Sequence, residues 1–315
     1  MKYVSRKILY SILFAVLVYA GLAVFSDLGK VSGSVYRFRF VFLIPVLGLS
    51  LGNYLIRFFR WDGFIRSVGV RLQRPESFRI FMAGLFMSIS PGKVGELIKS
   101  WLLKDYHGVP VSVSSPVVVS ERVTDFTAII LLTLAGLSLY RQALYWVMAG
   151  AAFIGIFALV FYSEWLFSIV YSLCGKLRLP AVLMEFVVQM RETMKSFLKP
   201  YPLMFGTLLG VFAWGCECLG LYLVLAGFGI PISLPQAVFA YSAATLVGAL
   251  SFLPGGLGAT EVSLAALLIR FGVVKGDAAS ATVLVRLATL WFAVALGGIF
   301  LYRFVRERPA GEVVD

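Results

Sequence analysis

Eight ionisable side chains fall in stretches of this chain that are otherwise apolar enough for lipid: Glu96, Lys99, Glu121, Arg122, Asp125, Glu217, Glu261 and Arg286. One such group at a bilayer centre costs at least about 2.5–3.5 kcal/mol on insertion scales, so it is kept where it pairs, lines a wet cavity or handles a substrate. Several follow breaks in the backbone. Ser90-Pro91-Gly92-Lys93-Val94-Gly95-Glu96, with Lys99 just beyond, ends the apolar run 80–89. Pro254-Gly255-Gly256-Leu257-Gly258-Ala259-Thr260-Glu261 ends the run 237–253. Arg122 stands 31 residues after Pro91, and Arg286 stands 32 after Pro254. Matching breaks in the two halves of a membrane protein point to a transport site.

The chemistry these types allow is anion binding. A helix start exposed by a break offers unpaired N–H groups, which favour phosphate, and Gly92, Gly95, Gly256 and Gly258 lie at those starts. Lys93, Lys99, Arg122 and Arg286 would complete a phosphate clamp, arginine supplying a bidentate fork. Glu96 and Glu261 fall in the first turn of their short helices, where the helix dipole favours negative charge. With Glu121, Asp125 and Glu217 they would orient the arginines, bind a lipid amine or take up a coupling proton. Glu121 and Asp125, four apart, share a helix face, with Arg122 beside it. The plainer alternative is that the charges hold the bundle together as pairs such as Glu96 with Arg122 and Glu261 with Arg286. Simple pairing does not require the Pro91 and Pro254 breaks. Arg57 and Arg60, next to Trp61 at the end of an apolar run, read as interface anchors rather than ligands.

The elements that must position these groups are membrane helices. Over 315 residues, 60% are hydrophobic and 14% charged, with a mean hydropathy of +0.91, which marks an integral helical membrane protein. The period-two alternation of a barrel is missing. No polar block is long enough for a separate soluble domain. The chain therefore reads as one integral membrane domain over 1–315, with a first half at about 1–163, a cytoplasmic amphipathic linker at 164–200 and a second half at 201–305. The net charge of +12 fits cytoplasmic loops facing anionic lipid rather than nucleic acid. Three cysteines, Cys174, Cys216 and Cys218, have no disulfide or metal-site spacing, and the single histidine, His107, lies in a polar turn. No HExxH, Ser-His-Asp set or Walker motif is present, so no cofactor, metal or enzymatic activity is expected.

Spans are predicted at 8–25, 40–59, 116–140, 144–162, 203–228 and 278–302, the first as a retained helix rather than a cleaved signal. Two hairpins, 80–89 with 94–103 and 237–253 with 259–271, have arms mostly too short to cross a bilayer. They read as re-entrant, although the second also fits two tilted spans. The basic residues of 62–79, of 163–200 and of the tail at Arg303, Arg306 and Arg308 place those segments and both termini in the cytoplasm. The expected fold is an all-α polytopic protein of about six transmembrane helices plus two re-entrant broken-helix hairpins, arranged as an inverted repeat in the cell membrane. Leu183, Phe186, Val187, Met190, Met194, Phe197 and Leu198 follow helical spacing, as an interfacial amphipathic helix or one packed under the bundle.

In order and spacing, Pro91-Gly92-Lys93-x-Gly95-Glu96, Glu121-Arg122-x-x-Asp125, Pro254-Gly255-Gly256-x-Gly258-x-x-Glu261 and Arg286 resemble the lysylphosphatidylglycerol synthase transmembrane region, or flippase-like domain family. The resemblance covers about residues 5–305. It implies a lipid-translocating module, which in bifunctional members moves aminoacylated phosphatidylglycerol to the outer leaflet and is fused to a soluble aminoacyl transferase domain. This chain shows no such domain, so lipid aminoacylation is not expected. Lys93 stands where many members are expected to carry arginine, which keeps the charge and loses the fork. The expected function is a flippase or scramblase for a phosphate-bearing lipid, either an anionic phospholipid or a polyprenyl-phosphate-linked lipid, moved through a cationic midplane cavity. The alternatives are an intramembrane lipid-headgroup enzyme, with the glutamates as acid and base, and a lipid-binding scaffold without flux. Direction, energy source and a homo-oligomeric state are left open.

Overall fold

The computed structural model describes residues 37–90, 93–137, 161–176 and 181–306, together with 152, 155 and 159. The predicted span 8–25, Pro91, Gly92, most of 144–162 and Arg308 lie outside the described residues. Among the described residues all regular structure is helical.

Helix α1 (Leu43–Ser67) follows a 3-10 turn at Phe40–Phe42. It passes the expected end at 59, because Arg60, Trp61, Phe64 and Ile65 continue its buried face. Helix α2 (Arg74–Leu85) opens with a proline in its first turn and tightens into a 3-10 turn at Phe86–Ile89. Beyond the first break, a 3-10 turn (Val94–Leu97) leads into α3 (Ile98–His107), which Gly108 ends in the left-handed conformation at φ 65°. Helix α4 (Val111–Leu137) begins before the expected position 116 and carries Pro116 inside it. The carbonyl of Pro110 closes its first turn by accepting from Val113 N and Ser114 N at 3.0 and 3.3 Å.

Helices α5 (Glu164–Lys176) and α6 (Ala181–Phe197) form the predicted amphipathic region. Met194, Phe197 and Leu198 are buried, and the Phe197 ring lies 4.8 Å from that of Phe64. Of the two expectations for this segment, the helix packed against the bundle is the one observed. Helix α7 (Pro200–Gly227) precedes α8 (Leu234–Leu250), whose start is capped reciprocally by Ser233 and Gln236. After the second break come α9 (Ala259–Arg270) and α10 (Lys275–Arg286). A π-helical turn (Leu287–Trp291) joins α10 to α11 (Phe292–Arg306).

Among the described residues, three continuous runs, Phe40–Ser67, Pro200–Gly227 and Lys275–Phe304, are long and apolar enough to cross a membrane. The 17 residues of α8 and 12 of α9 reach only about 25 and 18 Å, short of a hydrocarbon core of about 30 Å. Helix α1 pairs with α7, while α4 packs on α7 and α8. Helix α11 packs on α2 and its 3-10 end. Each helix that enters a break therefore lies on a long helix from the opposite end of the chain. Both contacts use a glycine for close approach, as packing between membrane helices favours. A Cβ at Gly136 of α4 would lie 2.6 Å from Phe239 N of α8, and one at Gly297 of α11 would collide with Phe86 N.

The apolar core has two parts. One gathers around α7, α8, α9 and α10 through Leu221, Tyr241, Leu264 and Ala281. The other gathers around α1, α2 and α3 through Trp61, Ile80, Phe81 and Leu102. On α4, Val117 and Val118 belong to the second part and Ala128 and Ile129 to the first. Glu121, Arg122 and Asp125 fall between them.

Candidate functional site

The first break ends on Lys93, held left-handed at φ 56°. Ser90 closes the turn around it: its carbonyl accepts from Lys93 N at 3.0 Å and its hydroxyl oxygen from Gly95 N at 2.7 Å. That turn delivers Glu96 into the protein, where it is 1% exposed. Three cations surround its carboxylate at loose distances: Arg122 Nη2 at 3.2 Å, Lys99 Nζ at 3.6 Å and Arg57 Nη2 at 3.8 Å. Lys99 is held more tightly by Glu121, with Nζ 2.5 Å from Oε2, and sits 4.5 Å over the Trp61 ring. Gly84 makes room for its stem, since a Cβ there would lie 2.5 Å from Lys99 Cγ. Asp125 takes Arg60 Nη2 at 2.6 Å and lies 3.0 Å from Arg122 Nη2. Lys93 Nζ reaches toward α7, 5.2 Å from the Trp214 ring.

This basin brings Lys93, Glu96, Lys99, Glu121, Arg122 and Asp125 together, and adds Arg57 and Arg60. The sequence reading placed those two at the interface, and the structure corrects it: they are 5% and 0% exposed. They were missed because the helix was expected to end beside them, whereas it runs on to Ser67. The available signal was the polar stripe Ser50, Asn53, Arg57 and Arg60, at helical spacing on one buried face of α1. Counting the described residues, five cations meet three carboxylates here. Nε and Nη2 of both Arg57 and Arg122 are buried with no acceptor in bonding geometry, and Glu96 Oε1, Glu121 Oε1 and Asp125 Oδ2 lack donors.

The second break is built differently. Gly255, Gly256 and Gly258 all take positive φ, at 60°, 67° and 84°. Pro254 O accepts from Leu257 N at 3.0 Å. Arg286 reaches in from α10, donating from Nε to Glu261 Oε1 at 2.6 Å and from Nη2 to Gly255 O at 2.8 Å. Glu261 Oε2 in turn accepts from Gly258 N at 2.7 Å. Arginine, glutamate and two loop backbone groups thus form one tight, buried unit. The loop also meets the first break, for a Cβ at Gly255 would lie 3.3 Å from Ile89 Cα.

The expected unpaired N–H groups are not found at three of the four glycines. Gly95 N donates to Ser90, Gly256 N to Leu253 O at 2.9 Å, and Gly258 N to Glu261. A tight turn closes on its nearest acceptors, and in both breaks a neighbouring side chain supplies one. Gly92 lies outside the described residues.

Glu217, on α7, belongs to neither cluster. Its Oε2 accepts from Tyr241 Oη at 2.6 Å, and Tyr241 Oη lies 3.3 Å from Thr289 Oγ1. Thr289 sits in the π turn after Arg286, and its carbonyl accepts from Tyr54 Oη at 2.7 Å. This polar chain links α1, α7, α8 and the π turn, a local irregularity that often marks functional positions. His107 lies away from all of this, its Nε2 3.1 Å from Glu76 Oε1.

Comparison with known proteins agrees with this picture of a helical membrane protein. A UPF0104 membrane protein of Methanothermobacter thermautotrophicus is 28% identical over 330 positions, which cover 99% of this chain and 96% of that protein. A UPF0104 membrane protein of Pyrococcus horikoshii is 25% identical over 293 positions, 84% of this chain and 87% of its own. The family described as the lysylphosphatidylglycerol synthase TM region matches residues 12–297, and its span includes both breaks and every charged group of the two clusters. The chain belongs to the lysylphosphatidylglycerol synthase TM region family.

Proposed function

We propose that this protein translocates a lipid with a phosphate-bearing headgroup, an anionic phospholipid or a polyprenyl-phosphate-linked lipid, and that the headgroup passes through the basin at the first break. The observation that carries this reading is the contrast between the two arginines. Arg286 is held at 2.6 and 2.8 Å by Glu261 and Gly255. Arg122 stands 3.2 Å from Glu96 and 3.0 Å from Asp125, with a side chain 23% exposed and with Nε and Nη2 in hydrogen-bond geometry to neither. A surplus of loosely held cations suits a phosphate, which brings several acceptor oxygens, and arginine matches them with a planar fork. Arg57 and Lys93 extend the cationic surface. On this reading Arg286 is a brace that shapes the second loop rather than a headgroup ligand.

Membrane placement follows the same reading. Two short-armed breaks meeting at Gly255 and Ile89 support re-entrant hairpins related as an inverted repeat, as does the reciprocal packing of α2 on α11 and α8 on α4. About six spans in one domain of the cell membrane, with both termini cytoplasmic, complete the arrangement, and rocking of the halves would alternate access. The lipid's own gradient or an ion gradient would drive net movement.

The test is flux in proteoliposomes containing fluorescent phosphatidylglycerol or a labelled polyprenyl phosphate, followed by reductant access to the label. Arg122→Ala and Arg57→Ala should insert normally and lose at least about tenfold in rate, as loss of one charge-assisted contact of about 1.5–3 kcal/mol predicts. Wild-type rates in both variants would overturn the proposal. Product formed in detergent micelles, where no sidedness exists, would favour lipid-headgroup chemistry instead.

A further inference from the structure

Outside the two charged clusters, α11 and Phe86 line an outward-open groove of about 840 Å³, within the range of ligand-sized sites of about 300–1,000 Å³. Its walls are apolar, with Phe86 on one side and Gly298 and Ile299 on the other. Gly298 sets the floor, since a Cβ there would lie 3.2 Å from Phe86 Cδ2. Ile299 is 51% exposed and Tyr302 65% exposed, so this wall faces outward from the bundle. One end carries Arg303 and Arg306 in the last turn of α11. Three apart on a helix, they project to the same side. Neither takes part in an ion pair among the described residues.

Basic residues at a helix C-terminus also offset the helix dipole, which needs no ligand. The dipole explains neither an apolar trough running up the same helix nor the exposed Tyr302 between trough and arginines. An apolar groove, an interfacial aromatic and two exposed guanidiniums, in that order, match the order of parts in a phospholipid: chain, glycerol level, phosphate. We propose that this groove binds an anionic phospholipid from the leaflet at which Arg303 and Arg306 lie, with one acyl chain along α11 between Phe86 and Ile299 and the phosphate shared by the two arginines. Charge complementarity selects this occupant over a neutral lipid. The site stands independently of the translocation reading, because binding here requires no flux. Phe86 lies one turn before Ser90, so the bound chain would end beside the first break.

The test uses the full-length protein in lipid nanodiscs. Retained lipid is measured by native mass spectrometry, and the position by a phosphatidylglycerol bearing a photoreactive acyl chain. The expected result is labelling of the peptides containing Phe86 and residues 294–302. In R303Q/R306Q, phosphatidylglycerol retention should fall about tenfold while phosphatidylcholine retention stays unchanged. Ala295→Trp, which fills the groove and leaves both arginines, should abolish the labelling. Undiminished phosphatidylglycerol retention in R303Q/R306Q overturns the proposal. So does cross-linking of a cysteine at position 299 to residues 8–25, which would make a segment of this chain the occupant.

Discussion

Removing Arg286 separates a structural brace from a substrate ligand. In Arg286→Met, Glu261 loses the guanidinium at 2.6 Å and Gly255 O loses its donor at 2.8 Å. Glu261 is fully buried and, among the described residues, keeps Gly258 N at 2.7 Å. Taking one partner from a buried pair strands the other charge and costs about 3–5 kcal/mol. The orphaned carbonyl of Gly255 adds about 1–3 kcal/mol. Arg122→Met leaves less behind. Glu96 keeps Lys99 at 3.6 Å and Arg57 at 3.8 Å, and Asp125 keeps Arg60 at 2.6 Å. Because each carboxylate keeps a cation, its cost should fall below that of a fully stranded buried charge, about 3–5 kcal/mol. Reversible unfolding in mixed micelles, read by tryptophan fluorescence, gives the two stabilities side by side. Arg286→Met should be destabilised by several kcal/mol, and Arg286→Met/Glu261→Gln should recover part of the loss by removing the stranded charge. If Arg286→Met unfolds like wild type while Arg122→Met is strongly destabilised, the division into brace and headgroup ligand is wrong.

Lys99→Met should strand Glu121, which is 0% exposed and has Lys99 at 2.5 Å, at a cost of about 3–5 kcal/mol; unfolding of the double variant with Glu121→Gln should show most of it restored. Gly84→Val drives a side chain into the Lys99 stem, and the overpacking should cost about 1–3 kcal/mol in the same assay. Tyr241→Phe should destabilise more than Tyr54→Phe, since it takes the donor from the buried Glu217 carboxyl, whereas Tyr54 donates to a backbone carbonyl; a buried polar group left without its partner costs about 1–3 kcal/mol, and the reverse order would refute that role for Tyr241. On α5, the hydrogen bond from Arg191 holds Glu164 below the usual carboxylate range. A lowered folded value means the contact contributes fully above the ordinary carboxylate pKa of about 4.3 and is lost as pH falls through the lowered value. Hydrogen-exchange protection of α5, corrected for intrinsic rates, should therefore be flat from pH 8 to 6 and drop below about pH 4, with Glu164→Gln removing the drop.

Much of this was legible in one dimension, for physical reasons. Hydrocarbon admits only helices or closed barrels, so apolar length marked α1, α7, α8 and the α10–α11 run. Clustered proline and glycine disfavour a continuous helix, so both breaks stood out, and charge in apolar surroundings has to find a partner. The pairs Glu96 with Arg122 and Glu261 with Arg286 could be named from spacing alone. What spacing could not reveal was how closely each pair is held, because that depends on what else converges on it. The structure brings Arg57 and Arg60 in from α1 to crowd Glu96 and Asp125, and so leaves Arg122 loosely shared. At the second break Arg286 closes on Glu261 and the Gly255 carbonyl at 2.6 and 2.8 Å. Local geometry also decided the glycine N–H groups, which donate to Ser90, Leu253 and Glu261. The types of group that can meet an anion are written in the sequence. Which of them stay available is set by distances across helices far apart in the chain, and only the tertiary structure fixes those distances.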